Sequence, residues 1–215
     1  RRSSDLFALT ETWITSSATS AELRNATPSG FSLINCPRPA PATNSHIVGG
    51  GTAFLVREPS FILKTPPSQT FKSFEMSSVT LKLFNSKLTV FNIYRPPPAN
   101  TTTRKAVPFS LFLTEFDSLL SLAATTPHEF VITGDFNLHI DNPSDSQTKQ
   151  FLSVLDSTNL IQHVSFPTHR DHHTLDLVIT ATASSLHPVI DYSPVSPSDH
   201  FPIFSCLTIS PLPPL

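Results

Sequence analysis

Apolar and polar positions along this chain follow two alternating periods. Short apolar runs bounded by Pro, Gly, Asn or Ser read as strands over residues 6–10, 31–35, 52–57, 61–64 and 88–94. Residues 71–84 alternate at Val79, Leu81 and Leu83 and predict a long half-buried strand. Asn85-Ser86-Lys87 turns that strand back into 88–94, making a hairpin that Pro96 ends. From Pro108 to Ala124 the period changes: Leu111, Phe112, Phe116, Leu119 and Leu120 fall at helical spacing. A second helix is expected over 144–155, capped by Ser144 or Asp145, with Phe151, Leu152 and Leu155 on its apolar side. Further strands are expected over 129–133, 160–164, 174–180, 187–192 and 201–209. Strands outnumber helices, and the helices fall between strands. The pattern therefore predicts an α/β sandwich, with sheets packed on each other and helices outside.

Composition sharpens this picture. The 21 prolines gather in connecting stretches (37–41, 66–67, 96–98, 211–214), which suits short strands better than a helical bundle. The length suits one domain over 1–209, followed by a proline-rich tail over 210–215. Lys and Arg number 14 against 16 acids, so any nucleic-acid binding must use a local groove rather than a global positive field. Cys36 and Cys206 show no metal-type spacing and nothing demands a disulfide, so a reducing compartment is the simpler expectation. Arg1-Arg2-Ser3-Ser4-Asp5 has no apolar run behind it of the kind a secretory signal needs. No stretch is long and apolar enough to span a bilayer, so no membrane partner is expected. The first residue is Arg, so the chain reads as a fragment.

The chemistry gathers at strand ends. Thr133-Gly134-Asp135-Phe136-Asn137 follows the apolar run 130–132. Asp135 and Asn137 are two apart, so an extended backbone points both to one side, offering hard oxygens to a divalent cation or a phosphate. Alone, this fits a strand with an Asp/Asn turn equally well; similar polar elements elsewhere change the balance. Glu11 closes the first strand, where it either caps a turn or reaches a cation. Tyr94-Arg95 closes the hairpin. There Tyr94 either packs with a locally satisfied hydroxyl or donates to a phosphate oxygen, and Arg95 suits a solvated rim. Asp176 sits inside Leu175-Asp176-Leu177-Val178, an unusual place for a carboxylate without a partner. Asp199-His200 opens the last strand, where it either makes a plain turn with the histidine exposed or supplies that partner in an Asp–His pair. His169, Asp171, His172 and His173 match no strong zinc pattern and read as a hairpin loop.

Taken in order, LTETW, IYRPP, GDFN, TLDLVI and SDHFPI resemble the endonuclease/exonuclease/phosphatase family, and within it the nuclease domain of non-LTR (LINE-type) retrotransposons. The resemblance implies a four-layered sandwich of two mixed β-sheets flanked by helices, and phosphodiester hydrolysis with Mg²⁺ or Mn²⁺ and no small-molecule cofactor. It implies DNA as the partner, a monomer, and a nuclear location. By the resemblance, Glu11 and Asp199 would hold the metal. Asp135 and Asn137 would position or activate the water, and Tyr94 would bind a phosphate oxygen. His200, paired with Asp176, would stabilise transition-state charge. Arg95, and Arg170 in the loop 167–173, would meet DNA. One departure stands out. Only ten residues precede Glu11, so the family's first strand and its Asn are missing from the pattern. The expected function is DNA nicking for retrotransposition. The alternatives are a catalytically silent remnant with at most weak nucleic-acid binding, and a phosphate-ester phosphodiesterase of the same superfamily.

Overall fold

Valine alternates with larger apolar residues along the middle strands, and that alternation sets the layers. The computed structural model describes residues 5–38, 49–60, 62–64, 70–83, 86–98 and 107–208. The elements are β1 (Leu6–Thr10), α1 (Ser20–Asn25), β2 (Phe31–Cys36), β3 (Thr52–Arg57), β4 (Ile62–Lys64), β5 (Glu75–Lys82), β6 (Lys87–Tyr94), α2 (Phe109–Ala124), β7 (Glu129–Asp135), α3 (Ser146–Ser157), β8 (Leu160–Gln162), β9 (Asp176–Ala181), β10 (Val189–Tyr192) and β11 (Ile203–Cys206). A six-stranded sheet runs β4-β5-β6-β7-β9-β8, a three-stranded sheet β1-β3-β2, and a two-stranded sheet β10-β11. Within the largest sheet β6 and β7 are parallel, joined through α2, and the other pairs are antiparallel.

One face of the six-stranded sheet carries Phe91, Ile93, Ile132, Leu177 and Ile179, packed with Phe112, Phe116 and Leu119 of α2 and Phe151 and Leu155 of α3. The other carries Val79, Val90, Val131 and Val178, packed with Phe54 and Val56 of β3. The fold is thus mixed, with sheets flanked by helices, as the pattern predicted. β1 pairs only with β3, and β11 only with β10, among the described residues.

Apart from element ends that move by one to three residues, three details depart from the sequence reading. Helix α1 was not foreseen, because residues 15–25 lack an apolar period. A capping box makes it: Glu22 N–H donates to Thr19 Oγ1 (3.2 Å), and Thr19 N–H to Glu22 Oε2 (2.6 Å). It buries no residue. Strand β5 starts at Glu75 rather than at 71. Phe71 and Phe74 stack on each other (4.3 Å) and Phe74 meets Phe112 of α2, while Glu115 of α2 takes the N–H groups of Lys72 and Ser73. That segment is therefore drawn to the helical layer. Strand β7 runs on through Asp135, and Gly134 permits it: at φ 129°, a Cβ there would fall 2.0 Å from Ile93 O on β6. The expected strand start at Phe61, the turn residue Asn85 and the tail 210–215 lie outside the described residues.

Candidate active site

The register of four strands assembles the site. Glu75 pairs with Tyr94, Tyr94 with Asp135, and Asp135 with Asp176, across β5-β6-β7-β9. Residues in register share a face, here the valine face. Two residues further into the sheet the same four strands place Ser77, Asn92, Thr133 and Val178. Polarity therefore rises along this face toward one rim.

His200 closes the row from the loop before β11. Its Nδ1 lies 2.8 Å from Asp176 Oδ2 and its Nε2 4.0 Å from Asp135 Oδ2. Burial pulls its pKa down, but the Asp176 hydrogen bond and the charges of Asp176, Asp135 and Asp199 prevail and raise it to about 9. Asp135 is almost fully buried. Burial first, then the Asp176 carboxylate, push its pKa up to about 7, against the pull of His200 and the Asn137 N–H. Asn137 is held tightly. Its N–H donates to Asp135 Oδ1 (2.9 Å), and its Nδ2 to Asp135 Oδ2 (2.8 Å) and Arg95 O (2.8 Å). With both amide roles fixed, its Oδ1 is the atom left to accept.

Glu11 meets this row from the other sheet, where its side chain accepts the Tyr94 hydroxyl. Burial first, then Glu11, push the Tyr94 hydroxyl pKa well upward. Glu11 and Asn137 both hold positive φ, 51° and 45°, a strain that persists where surrounding structure over-determines it. Asp199 stands beside His200. Ser198 Oγ donates to its Oδ1 (3.0 Å), which holds its carboxyl below the usual range.

The structure thus brings together Glu11, Tyr94, Asp135, Asn137, Asp176, Asp199 and His200. Arg95 it places elsewhere, which corrects the rim expectation. The residue is buried, its Nη1 donates to Phe136 O (3.1 Å) and Asn137 O (3.0 Å), and its guanidinium lies over the Phe112 ring at 4.9 Å. It braces the turn that carries Asn137 and does not face solvent. Arg170 is exposed beside the site, its Nη2 on Ser198 O at 3.2 Å.

Sequence reasoning passed over two neighbours. Glu75 accepts the Gly51 N–H (2.5 Å) and the Arg38 Nε–H, and Arg38 lies 5.9 Å from the Tyr94 ring centre. The second is His169, whose backbone bridges His200. The one signal for Glu75 was its place opposite Tyr94 in a correctly registered hairpin.

The ligand atoms of Asp135, Asp176 and His200 lie within 4.8 Å of one another, as do those of His169, Asp199 and His200. These two groups share His200 and make one continuous polar centre. A family model described as endonuclease-reverse transcriptase matches residues 88–204, the span from β6 to β11. No curated protein matches the chain. Among solved structures, the 3′ phosphatase NExo from Neisseria, bound to a product DNA hairpin, is 15% identical with a TM-score of 0.63, covering 95% of this chain and 89% of that one. The endonuclease domain of TRAS1, a telomere-specific non-LTR retrotransposon, is 14% identical with a TM-score of 0.61, covering 93% and 83%. Humanized D. rerio TDP2 is 11% identical with a TM-score of 0.64, covering 95% and 86%. These structures show the shared fold, and the matched span carries six of the seven gathered residues. The chain belongs to the endonuclease-reverse transcriptase family, within the endonuclease/exonuclease/phosphatase fold.

Proposed function

We propose that this chain is a metal-dependent phosphodiesterase that nicks DNA, in the service of retrotransposition. One observation carries the reading. A hydrogen-bonded Asp176–His200 pair directs its free Nε2 toward Asp135, whose carboxyl pKa stands near neutrality. That is the arrangement a hydrolase needs, with a proton acceptor near pH 7 beside a fixed cationic imidazole.

The donor set fits a divalent cation such as Mg²⁺ or Mn²⁺. It offers hard oxygens, and ligand atoms of Asp135, Asp176 and His200 converge within 4.8 Å of one another. Glu11 and Asp199 would hold the ion. When bound, it would supply Lewis-acid polarisation of the phosphoryl group. The chain's own residues do the rest. Asp135 accepts a proton from water at its carboxylate, and Asn137 Oδ1 orients that water. His200 offers its Nε2–H to the charge that grows on the phosphate oxygens. Asp176 keeps Nδ1 engaged, so the ring cannot turn. Tyr94 donates to Glu11 in this arrangement and gives its hydroxyl to a phosphate oxygen when Glu11 releases it. Arg170, exposed at the rim, would meet a DNA phosphate. Support for DNA as substrate is the family match and the TRAS1 likeness.

The test is nicking of supercoiled plasmid in Mg²⁺, with Asp135→Ala and His200→Ala alongside. Each variant should lose about 10²–10⁴-fold in rate, and chelation should stop the wild type. A wild type no faster than either variant overturns the proposal and favours a silent nucleic-acid-binding domain. Turnover of a soluble phosphate ester with an intact plasmid would move the substrate to small esters.

A further inference from the structure

The loop between β8 and β9 carries an imidazole that the reaction above does not use. His169 is largely buried, with a side chain only 15% exposed. Three contacts tie it to the site. Its backbone forms an antiparallel bridge with His200. Its ring stands edge-on to the His200 ring, with centres 4.9 Å apart. Its Nε2 lies 3.5 Å from Asp199 Oδ2.

The other side of the ring decides which nitrogen carries the proton. The Asp171 backbone N–H donates to His169 Nδ1 at 3.2 Å, closer than the Asp171 Oδ2 at 3.5 Å, whose side chain is 73% exposed. A nitrogen that accepts from an N–H has a free lone pair, so in the neutral ring the proton sits on Nε2. That nitrogen is the one 3.5 Å from Asp199 Oδ2. The segment is also anchored from outside: Thr168 N–H and His169 N–H both donate to His173 O, at 2.9 and 3.1 Å, and Arg170 N–H to Asp199 O at 2.9 Å. These bonds fix the backbone from which the ring projects. Asp199 needs such a support, since its side chain is 58% exposed and its other described tie is the Ser198 hydroxyl.

The geometry points to His169 as a positioning residue, whose Nε2–H orients the Asp199 carboxylate toward a divalent cation while its ring buttresses His200. This inference rests on the proposed phosphodiesterase reading and adds to it a supporting residue for one cation ligand. Removing such an outer partner weakens a metal site by about 10–100-fold in other proteins.

The experiment measures Mn²⁺ affinity directly on the whole chain, by the loss of free-ion EPR signal, for wild type, His169→Gln, His169→Asn and His169→Leu. A Gln amide can place an N–H near the position of Nε2, whereas an Asn amide reaches only the position of Nδ1. Both are polar and of similar bulk, so a general structural effect would move them together. Thermal unfolding of each variant checks that they fold alike. The expected result is Gln within about threefold of wild type, with Asn and Leu weaker by about 10–100-fold. The Mg²⁺ concentration at half-maximal nicking should follow the same order. Equal affinities for Gln and Asn, or Leu binding like wild type, overturn the inference and leave the phosphodiesterase reading intact. A wild type that neither binds Mn²⁺ nor nicks DNA overturns both.

Discussion

The two faces of the six-stranded sheet are built to different rules. Toward α2 and α3 the contact is phenyl-rich: Phe112, Phe116, Phe136 and Phe151 lie with ring centres 5.2–6.1 Å apart and are almost fully buried. Toward the three-stranded sheet the contact begins as valine and grades into polar residues. Asn92 is fully buried and reaches across to Leu9 O (2.8 Å) on β1, while its Oδ1 has no partner among the described residues. Thr52 Oγ1 is similarly buried and unpartnered. A buried polar atom without a partner costs stability, so the polar rim is made on the weaker face. The phenyl face supplies the rigidity that holds the row in register. Site and foundation are thus opposite sides of the same strands.

The largest test of this contrast is Phe116→Ala. A cavity in the phenyl layer should lower the unfolding free energy by about 3–5 kcal/mol in urea titration. A loss under about 1 kcal/mol would show that this layer is not the foundation. Arg95→Ala comes next, because it strips the turn carrying Asn137. Each carbonyl left unpaired should cost about 1–3 kcal/mol, with no change in the salt dependence of DNA binding. Arg170→Ala should do the reverse, leaving stability alone and lowering the salt slope by about 1. An Arg95 variant that keeps its stability but shifts the salt slope would return that residue to the DNA surface.

A pH series probes the rim itself, with a chelator present so that no cation compensates. The folded pKa of His200 is about 9, above the ~6.5 of an unfolded histidine. Its contribution is therefore complete below about pH 6.5 and is lost as pH rises toward 9. Wild-type unfolding free energy should fall across that window, and His200→Gln should lack that part of the fall. The smallest effect belongs to the valine–polar face. Thr52→Val removes a hydroxyl that has no partner among the described residues and keeps the shape, so stability should stay within about 1 kcal/mol or rise. A marked loss would reveal a partner for that hydroxyl.

Much of this was legible in the chain. The strands β1, β3 and β6 and the helix α2 follow from local period and punctuation, and Asp176 announced its partner because a lone carboxylate among Leu175, Leu177 and Val178 needs one. Glu75 and His169 were hidden for the opposite reason. Glu75 looks like any strand-end acid, and His169 lay in a loop whose histidines match no metal spacing. Arg95 was misplaced because an arginine next to prolines suits a surface. The packing of Phe109 and Phe112 beside it, with the carbonyls of Phe136 and Asn137, makes a buried cation there tenable.

By itself the chain determined which side chains stand at strand ends and which face each strand buries, since the two-residue period of a strand is a local property. Tertiary structure decided which ends become neighbours. The row Glu75-Tyr94-Asp135-Asp176 exists because α2 returns the chain to pair β7 parallel to β6, and because Gly134 lets their backbones approach. The sharing of His200 by two carboxylate groups depends on loops far apart in sequence. Such long-range pairings carry no local pattern, because their energy comes from packing that forms only when the layers close.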